Sequence, residues 1–270
     1  MNNLTLRLIS GIVFVAVIVG AILFSPFSVV AVFTPIVFLA VREFHLLTNK
    51  NSDIEVSIPT AVAGGVLLFI NAFLMASGNV NFPVYVIYGL YIVGVFLWEL
   101  FRKKQNPINN WAYFLLGQIY VALPFSLLNY ILYFNNYQPF ILLAVFISIW
   151  VNDTGAYCTG MLLGRHKLFE RVSPKKTWEG FIGGAAFVLV SGYIFSRYIP
   201  ELTLWQWFIF SEIIVVFGTL GDLSESLLKR TLGVKDSGNL LPGHGGALDR
   251  FDSMMMAAPV IFLFLKIIVS

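Results

Sequence analysis

The sequence predicts an all-α polytopic membrane protein of about nine transmembrane helices, with a cytoplasmic N-terminus and a C-terminus on the opposite side. Hydrophobic residues make up 58% of the 270 residues and charged residues only 11%, whereas soluble domains carry about 25% charged residues. Apolar runs of about 20 residues, enough to cross a hydrocarbon core of about 30 Å, recur along the chain. Because backbone polar groups in lipid are satisfied within their own segment, long runs without alternation indicate helices.

Turn-forming residues separate the predicted spans at Ser25-Pro26, Asn49 to Asp53, Ser77 to Asn79, Gln105 to Pro107 and Asn135-Asn136. The nine spans cover residues 4–24, 28–47, 57–77, 82–101, 112–134, 138–158, 177–198, 203–224 and 250–269. We expect a single integral membrane domain, 1–270. Within it, 1–137 are mainly apolar scaffold helices with ordinary snorkelling charges, and 138–270 carry the catalytic helices and cytoplasmic loops.

The distribution of basic residues predicts the topology. If the N-terminus is cytoplasmic and the spans alternate, 15 of the 17 Lys and Arg residues fall on the cytoplasmic side, all except Arg197 and Lys266. This asymmetry follows the positive-inside rule. Ten of the 14 acidic residues lie after residue 150, so the chemistry is expected in the C-terminal half. The single cysteine, Cys158, excludes an internal disulfide.

The first polar cluster lies near the end of span six, where Asn152 and Asp153 interrupt an apolar run. An acid at this depth is costly unless it faces protein, water or a cation. The alternative is a polar helix end that hydrogen-bonds a neighbouring helix.

The second cluster is the segment 173–180, SPKKTWEG. Ser173 is predicted to be an N-cap and Pro174 the first helical residue, so that the helix start favours an anion. Lys175, Lys176 and Thr177 lie at the same place. This combination predicts a phosphate site, and the alternative is that the lysines only follow the positive-inside rule.

The third cluster comprises two helix ends. Asp222 and Glu225 are three residues apart at the end of span eight, and Ser226 and Lys229 extend the stripe if the helix continues.

At the start of span nine, Asp249 and Asp252 are again three apart, after the turn Gly243 to Gly246, which contains His244. Such an oxygen-rich pocket suits Mg²⁺, and one His without nearby Cys argues against zinc. The alternative is a set of salt bridges among Asp222, Glu225, Asp249, Asp252, Lys229, Arg230 and Arg250.

Together the clusters offer acids for a divalent cation, basic residues for phosphates and a cytoplasmic opening at headgroup depth. This combination suits phosphoryl or nucleotidyl transfer onto a lipid, which needs positioning, charge neutralisation and a metal. The sequence has no Walker A motif.

Residues 226–252 resemble the signature of the phosphatidate cytidylyltransferases, also called CDP-diacylglycerol synthases. With Φ apolar, that signature is S-x-Φ-K-R-x4-K-D-x-small-x2-Φ-P-x-H-G-G-Φ-x-D-R-Φ-D. The matching positions are Ser226, Lys229, Arg230, Lys235, Asp236, Gly238, Pro242, His244, Gly245, Gly246, Asp249, Arg250 and Asp252. Ala247 departs from the usual larger aliphatic residue. The segments NDTGAY and SPKKTWEG also look like family blocks, so the resemblance by motif covers about the last 120 residues.

The resemblance implies that CTP and phosphatidic acid give CDP-diacylglycerol and pyrophosphate, without a covalent enzyme intermediate. By analogy, Asp222 and Asp249 would hold Mg²⁺ with Asp252 close by, and a monovalent cation such as K⁺ would share these acids. Lys229, Arg230 and Arg250 would neutralise phosphates, and His244 would transfer a proton or support the turn. The implied substrate-binding residues are Asn152, Asp153, Ser173, Lys175, Lys176, Thr177, Glu225, Ser226, Lys235, Asp236, Gly245 and Gly246.

The resemblance also implies a homodimer in a bacterial-type inner (cytoplasmic) membrane, with the active site facing the cytoplasm and no nucleic-acid partner. The residues alone do not exclude two other functions. A CTP-dependent polyprenol or phytol kinase would transfer the γ-phosphoryl group to a lipid alcohol. An ion-coupled transporter would place its acids near the bilayer midplane.

Overall fold

The structure is a computed structural model that describes residues 3–78, 80, 83–234, 236–238 and 245–269, with side chains from Ile9 to Ile268 within those ranges. Its long helices, in order, are α1 (Asn3–Phe24), α2 (Pro26–Thr48), α3 (Ile58–Ala76), α4 (Tyr85–Phe101), α5 (Pro107–Leu116), α6 (Leu123–Leu132), α7 (Pro139–Leu163), α8 (Trp178–Tyr198), α9 (Leu204–Thr231) and α10 (Leu248–Val269). A π-helix, Gly117–Ala122, joins α5 to α6. The strands β1 (Lys167–Phe169) and β2 (Ser173–Thr177) form an antiparallel hairpin.

The described helices identify an integral membrane protein. Seven helical segments in the described ranges are long and apolar enough to cross a bilayer: α2, α3, the continuous segment Pro107–Leu132, α7, α8, α9 and α10. Two shorter apolar helices, Ile9–Phe24 within α1 and α4, also match predicted spans. The all-α class is confirmed apart from the hairpin, whereas the number nine and the predicted topology stay predictions.

The chain divides into two compact units. The first unit comprises Met1–Tyr137 and Leu232–Arg250, and the second comprises Gln138–Thr231 and Phe251–Ser270. The first 137 residues are those that the sequence analysis treats as scaffold, and the prediction of a single domain stays a prediction.

In the first unit, α2 packs against α3 and the π-helix, and α3 packs against α6. Fully buried rings, among them Phe33, Phe44 and Phe125, fill this core. Gly117, the first residue of the π-helix, lies directly against the ring of His45, where a Cβ atom would be 2.8 Å from Cε1. The absence of a side chain at residue 117 therefore allows the π-helix to approach α2 closely.

In the second unit, α8 packs along α7 and α9. Small residues permit the close approach of α7 and α8, because a Cβ atom on Gly180 would be 2.8 Å from the carbonyl oxygen of Ala156. Membrane helices associate through such small residues, since lipid provides no hydrophobic driving force between them. This packing fixes the end of α7 next to the start of α8.

The start of α8 differs from the sequence prediction. Ser173 and Pro174 lie in β2 and do not begin a helix, so the prediction of Ser173 as N-cap was wrong. Thr177 is the N-cap instead, and its Oγ1 accepts a hydrogen bond from the N–H of Gly180 at 3.1 Å. A residue that precedes proline avoids the α conformation, and proline, which lacks an N–H, is tolerated in an edge strand. The first effect favours the extended conformation of Ser173, and the second allows Pro174 to lie in the strand.

Candidate functional site

A cavity of about 390 Å³ lies in the second unit, lined by residues of α7, the hairpin, α8 and α9. Its polar residues are Asn152, Asp153, Lys175, Lys176, Thr177, Thr219 and Asp222. Apolar side chains, among them Tyr157, Met161, Leu168 and Phe181, line the remainder. The cavity thus combines charged groups with apolar surface, as an amphipathic substrate requires.

An ion pair between Lys176 and Asp222 brings together two of the predicted clusters. The Nζ atom of Lys176 lies 2.6 Å from Oδ2 of Asp222, and both side chains are partly exposed. The hydroxyl of Ser226 donates to Oδ1 of the same carboxylate at 3.2 Å. The structure therefore places the lysine-bearing strand β2 beside the acid-bearing helix α9.

Asp252 adds a further carboxylate to this arrangement. It is half-buried and interacts electrostatically with Asp222, Asp153 and Lys176. A Cβ atom on Gly221 would overlap the carbonyl oxygen of Asp252, so α9 and α10 make a close backbone approach there. The second unit thus brings the carboxylates of Asp153, Asp222 and Asp252 together near Lys176.

Asn152, predicted to bind substrate, lies on the wall of the cavity, and its Oδ1 atom is buried without a hydrogen-bond partner among the described residues. A buried acceptor without a partner carries a desolvation penalty, and a ligand donor would relieve it. Asp153 is exposed on the same wall. Ser173 is half-buried in β2 and is not among the residues that line the cavity.

The end of α9 forms its own ion pair. Lys229 contacts the carboxylate of Glu225 one turn earlier, and the Glu225 side chain is 1% exposed. The two charges largely balance each other there. Arg230, one residue further, is exposed. Of the predicted residues at this helix end, Asp222 and Ser226 contribute to the Lys176–Asp222 arrangement, whereas Glu225 and Lys229 form a separate pair.

In the first unit, Asp249 organises the loop before α10. Its Oδ2 atom accepts hydrogen bonds from the N–H and hydroxyl of Ser237, at 3.0 and 2.9 Å, and from the N–H of Gly246 at 2.8 Å. Gly245 has a φ of +82°, a conformation that glycine adopts readily. Gly245 and Gly246 thus bring their backbone onto Asp249.

Glu43 is a residue of this loop network that sequence reasoning missed. Its Oε2 atom accepts from the hydroxyl of Ser237 at 3.3 Å and from the N–H of Leu248 at 3.1 Å. The charges of the first five spans were predicted to be snorkelling side chains, and for Glu43, which is 6% exposed, that prediction was wrong. The available signal was an acid within an apolar span, which usually marks a partner or a function.

Four predicted site residues remain to be placed: Lys235, Asp236, His244 and Arg250. Lys235 and His244 lie outside the described residues. Asp236 and Arg250 are exposed. Their predicted roles stay predictions.

Of the carboxylates predicted to hold magnesium, Asp222 lines the cavity and Asp252 interacts with it electrostatically. The described residues contain no group of three or more His, Cys, Asp or Glu side chains that could hold a metal by itself. Mg²⁺, however, usually binds through one or two carboxylates together with waters and substrate phosphates. Asp222 and Asp252 supply two such carboxylates.

Comparison with known proteins gives a consistent result. A family model described as "Cytidylyltransferase family" matches residues 5–268. The chain is 39% identical over 169 residues to the phosphatidate cytidylyltransferase of Staphylococcus saprophyticus, covering 62% of this chain and 64% of that protein. It is 34% identical over 234 residues to the protein of that name in Staphylococcus epidermidis, covering 84% and 86%. It is 38% identical over 180 residues to the protein of that name in Staphylococcus aureus, covering 63% of this chain and 65% of that protein.

Proposed function

The chain belongs to the cytidylyltransferase family, and on that basis we propose that it transfers the cytidylyl group of CTP to phosphatidic acid. The products are CDP-diacylglycerol and pyrophosphate, which supply phospholipid biosynthesis. The relatives named phosphatidate cytidylyltransferase support this substrate pair. The observation in the structure that supports it best is the Lys176–Asp222 pair in a cavity with both charged and apolar walls.

The proposed reaction is a single in-line displacement. A phosphatidate oxygen attacks the α-phosphorus of CTP, and the new P–O bond forms as the bond from the α-phosphorus to the bridging oxygen breaks. The electron pair of the broken bond leaves with pyrophosphate. Such a transfer requires positioning and charge stabilisation, and no covalent intermediate on the protein is needed.

The described residues provide the positive charge and the orientation. Lys175 and Lys176 lie on the cavity wall, where their ammonium groups can neutralise phosphate oxygens. Lys176 would exchange its contact with Asp222 for a substrate phosphate. Asn152 Oδ1 would accept a hydrogen bond from a substrate donor, and Tyr157 and Met161 would contact apolar parts of the lipid.

A magnesium ion is part of the proposal. Asp222 and Asp252 would hold it, and the family resemblance adds Asp249 and a monovalent cation such as K⁺. The chemistry that bound Mg²⁺ supplies is positive charge, which offsets the negative charge that develops on the departing pyrophosphate. Lys229, Arg230, Arg250, Lys235 and His244 remain candidates for phosphate neutralisation or proton transfer.

We further propose nine membrane crossings, a cytoplasmic active site in a bacterial-type inner membrane, and a homodimer. The placement of 15 of the 17 basic residues supports this orientation. A substrate as polar as CTP is met on the cytoplasmic side, where the lysines of the hairpin are predicted to lie.

The position of the label in CTP tests the function. Purified protein is incubated with Mg²⁺ and CTP labelled in either the α- or the γ-phosphate, together with phosphatidate or, in a parallel assay, with a polyprenol or phytol. We expect the α-label to enter the lipid and the γ-label to appear in pyrophosphate. Transfer of the γ-label to a polyprenol or phytol, with release of CDP, would indicate the lipid kinase. Cation flux in proteoliposomes without a lipid nucleotide would indicate a transporter.

A further inference from the structure

We propose that Glu43, on α2, is a positioning residue that holds Ser237 and the backbone at the start of α10, and thereby orients Asp249. The proposal rests on the proposed function, because Asp249 is a candidate residue of that reaction. Glu43 lies 194 residues before Ser237 and 205 before Leu248 in the sequence, yet it accepts hydrogen bonds from both. It lies outside the motif segments on which the sequence analysis based its site.

Burial of the Glu43 carboxylate requires compensation. The residue is 6% exposed, and a buried carboxylate without donors is strongly unfavourable. The hydroxyl of Ser237 and the N–H of Leu248 supply such donors to Oε2. Leu248 is the first residue of α10, so the negative charge of Glu43 also lies at the positive end of that helix dipole.

The hydroxyl of Ser237 couples Glu43 to Asp249. It lies 3.3 Å from Oε2 of Glu43 and 2.9 Å from Oδ2 of Asp249. One hydroxyl has one proton to donate, so its orientation depends on both carboxylates. A change of charge at Glu43 therefore alters the hydrogen bonding of Asp249 without touching it directly.

The glycines of the loop fit around Glu43. A Cβ atom on Gly238 would be 2.5 Å from Oε1 of Glu43, and one on Gly246 would overlap Oε2. The N–H of Gly246 in turn donates to Asp249. The backbone that binds Asp249 is thus the backbone that packs on Glu43, and glycine is required for both contacts to form together.

The variant Glu43→Gln tests this role, because it keeps the size of the side chain but removes its charge and adds a donor. We expect the amides of 245–248 to exchange with deuterium about 10-fold faster, as a charge-assisted hydrogen bond weakens. We also expect kcat for CDP-diacylglycerol formation to fall on the order of 10- to 100-fold, with KM for CTP nearly unchanged, because Asp249 is misplaced. The matched control is Glu55→Gln, since Glu55 is exposed and pairs with Lys104; neither quantity should change.

A double-mutant cycle with Ser237→Ala separates positioning from a general loss of structure. If Glu43 acts through Ser237, the losses of kcat in the two single variants are not additive in the double variant. Additive losses, or unchanged exchange at 245–248 in Glu43→Gln, would overturn the proposal. If Glu43→Gln does not fold, deuterium exchange at 245–248 and kcat are measured on Ser237→Ala alone. Values equal to those of the wild-type protein would contradict the proposal.

The exchange measurement needs no substrate, so it is independent of the reaction type. Product analysis of the wild-type protein tests the proposed function, whereas the exchange of 245–248 tests Glu43.

Discussion

At the scale of single residues, charges in the second unit meet across elements that are distant in sequence. Lys176 of β2 contacts Asp222 of α9, and Asp252 of α10 interacts with both. The sequence could identify these residues, because charge is rare in this chain and its few polar islands stand out. It could not show that Lys176 meets Asp222, because the pairing depends on the packing of α8 against α7 and α9.

Lys176→Ala is expected to lower kcat/KM for CTP or phosphatidate about 10- to 100-fold, mainly through KM, because a charge-assisted phosphate contact is lost. Steady-state kinetics with each substrate in turn would measure this. The control is Lys104→Ala, which removes another paired lysine from an exposed site. An unchanged rate at low substrate would remove Lys176 from the site.

Asp249→Asn is expected to reduce turnover on the order of 100-fold while the protein remains inserted in the membrane. The amide keeps one acceptor for Ser237 and Gly246 but loses the charge expected to attract a cation. Membrane fractionation and CDP-lipid formation would be measured together, with the exposed Asp53→Asn as control. Near-normal activity would refute a metal role for Asp249.

At the scale of elements, the presence of a helix was easier to predict than the residue at which it begins or ends. The hydrophobic runs indicated α2, α3 and α8 to within about two residues at each end, because apolar length is fixed by the bilayer. Helix α7 continues to Leu163, beyond the predicted end at residue 158. The hairpin was missed, because Ser173 and Pro174 fit a helix start equally well in the sequence. The hydrogen bond from the N–H of Trp178 to the carbonyl oxygen of His166, at 2.9 Å, is a long-range contact that no local pattern indicates.

The close approach of α9 and α10 gives a prediction for two glycines. Gly221→Ala is expected to destabilise the protein by about 1–3 kcal/mol, because its methyl group would overlap the Asp252 carbonyl oxygen. It should also lower kcat, since Asp222 and Asp252 move apart. Gly218→Ala is the control, because its Cβ atom would be 3.6 Å from Cβ of Ser253, an ordinary contact.

Thermal unfolding in detergent and CDP-lipid formation would measure both effects. Equal stability and activity for Gly221→Ala and Gly218→Ala would show that the backbone approach at Gly221 is not required.

At the scale of the whole molecule, composition alone indicated a helical membrane protein, because too little polar surface is available to cover a soluble globule. The exact number of crossings depends on short helices. Helix α4 has 17 residues, which at about 1.5 Å per residue span about 26 Å, slightly less than a hydrocarbon core of about 30 Å. Whether such a helix crosses depends on local bilayer thickness and neighbouring helices, which the sequence does not specify.

Cysteine labelling tests the crossing of α4. In a Cys158→Ala background, Ser77→Cys and Gln105→Cys place single thiols before and after α4. An impermeant maleimide should label Ser77→Cys in intact cells and Gln105→Cys only in inside-out vesicles, with the cysteine-free variant as blank. Labelling of both from the same side would contradict the nine-span topology.

The hydrogen bond from Leu248 to Glu43 has a consequence for biosynthesis. Chains grow at about 5–20 residues per second, so the 205 residues that separate the two groups take about 10–40 s to translate. During that interval the nascent chain contains Glu43 but neither of its later partners, Ser237 and Leu248. Helix α2 must therefore tolerate an uncompensated acid, through protonation, water or the insertion machinery, until Ser237 and Leu248 have been synthesised.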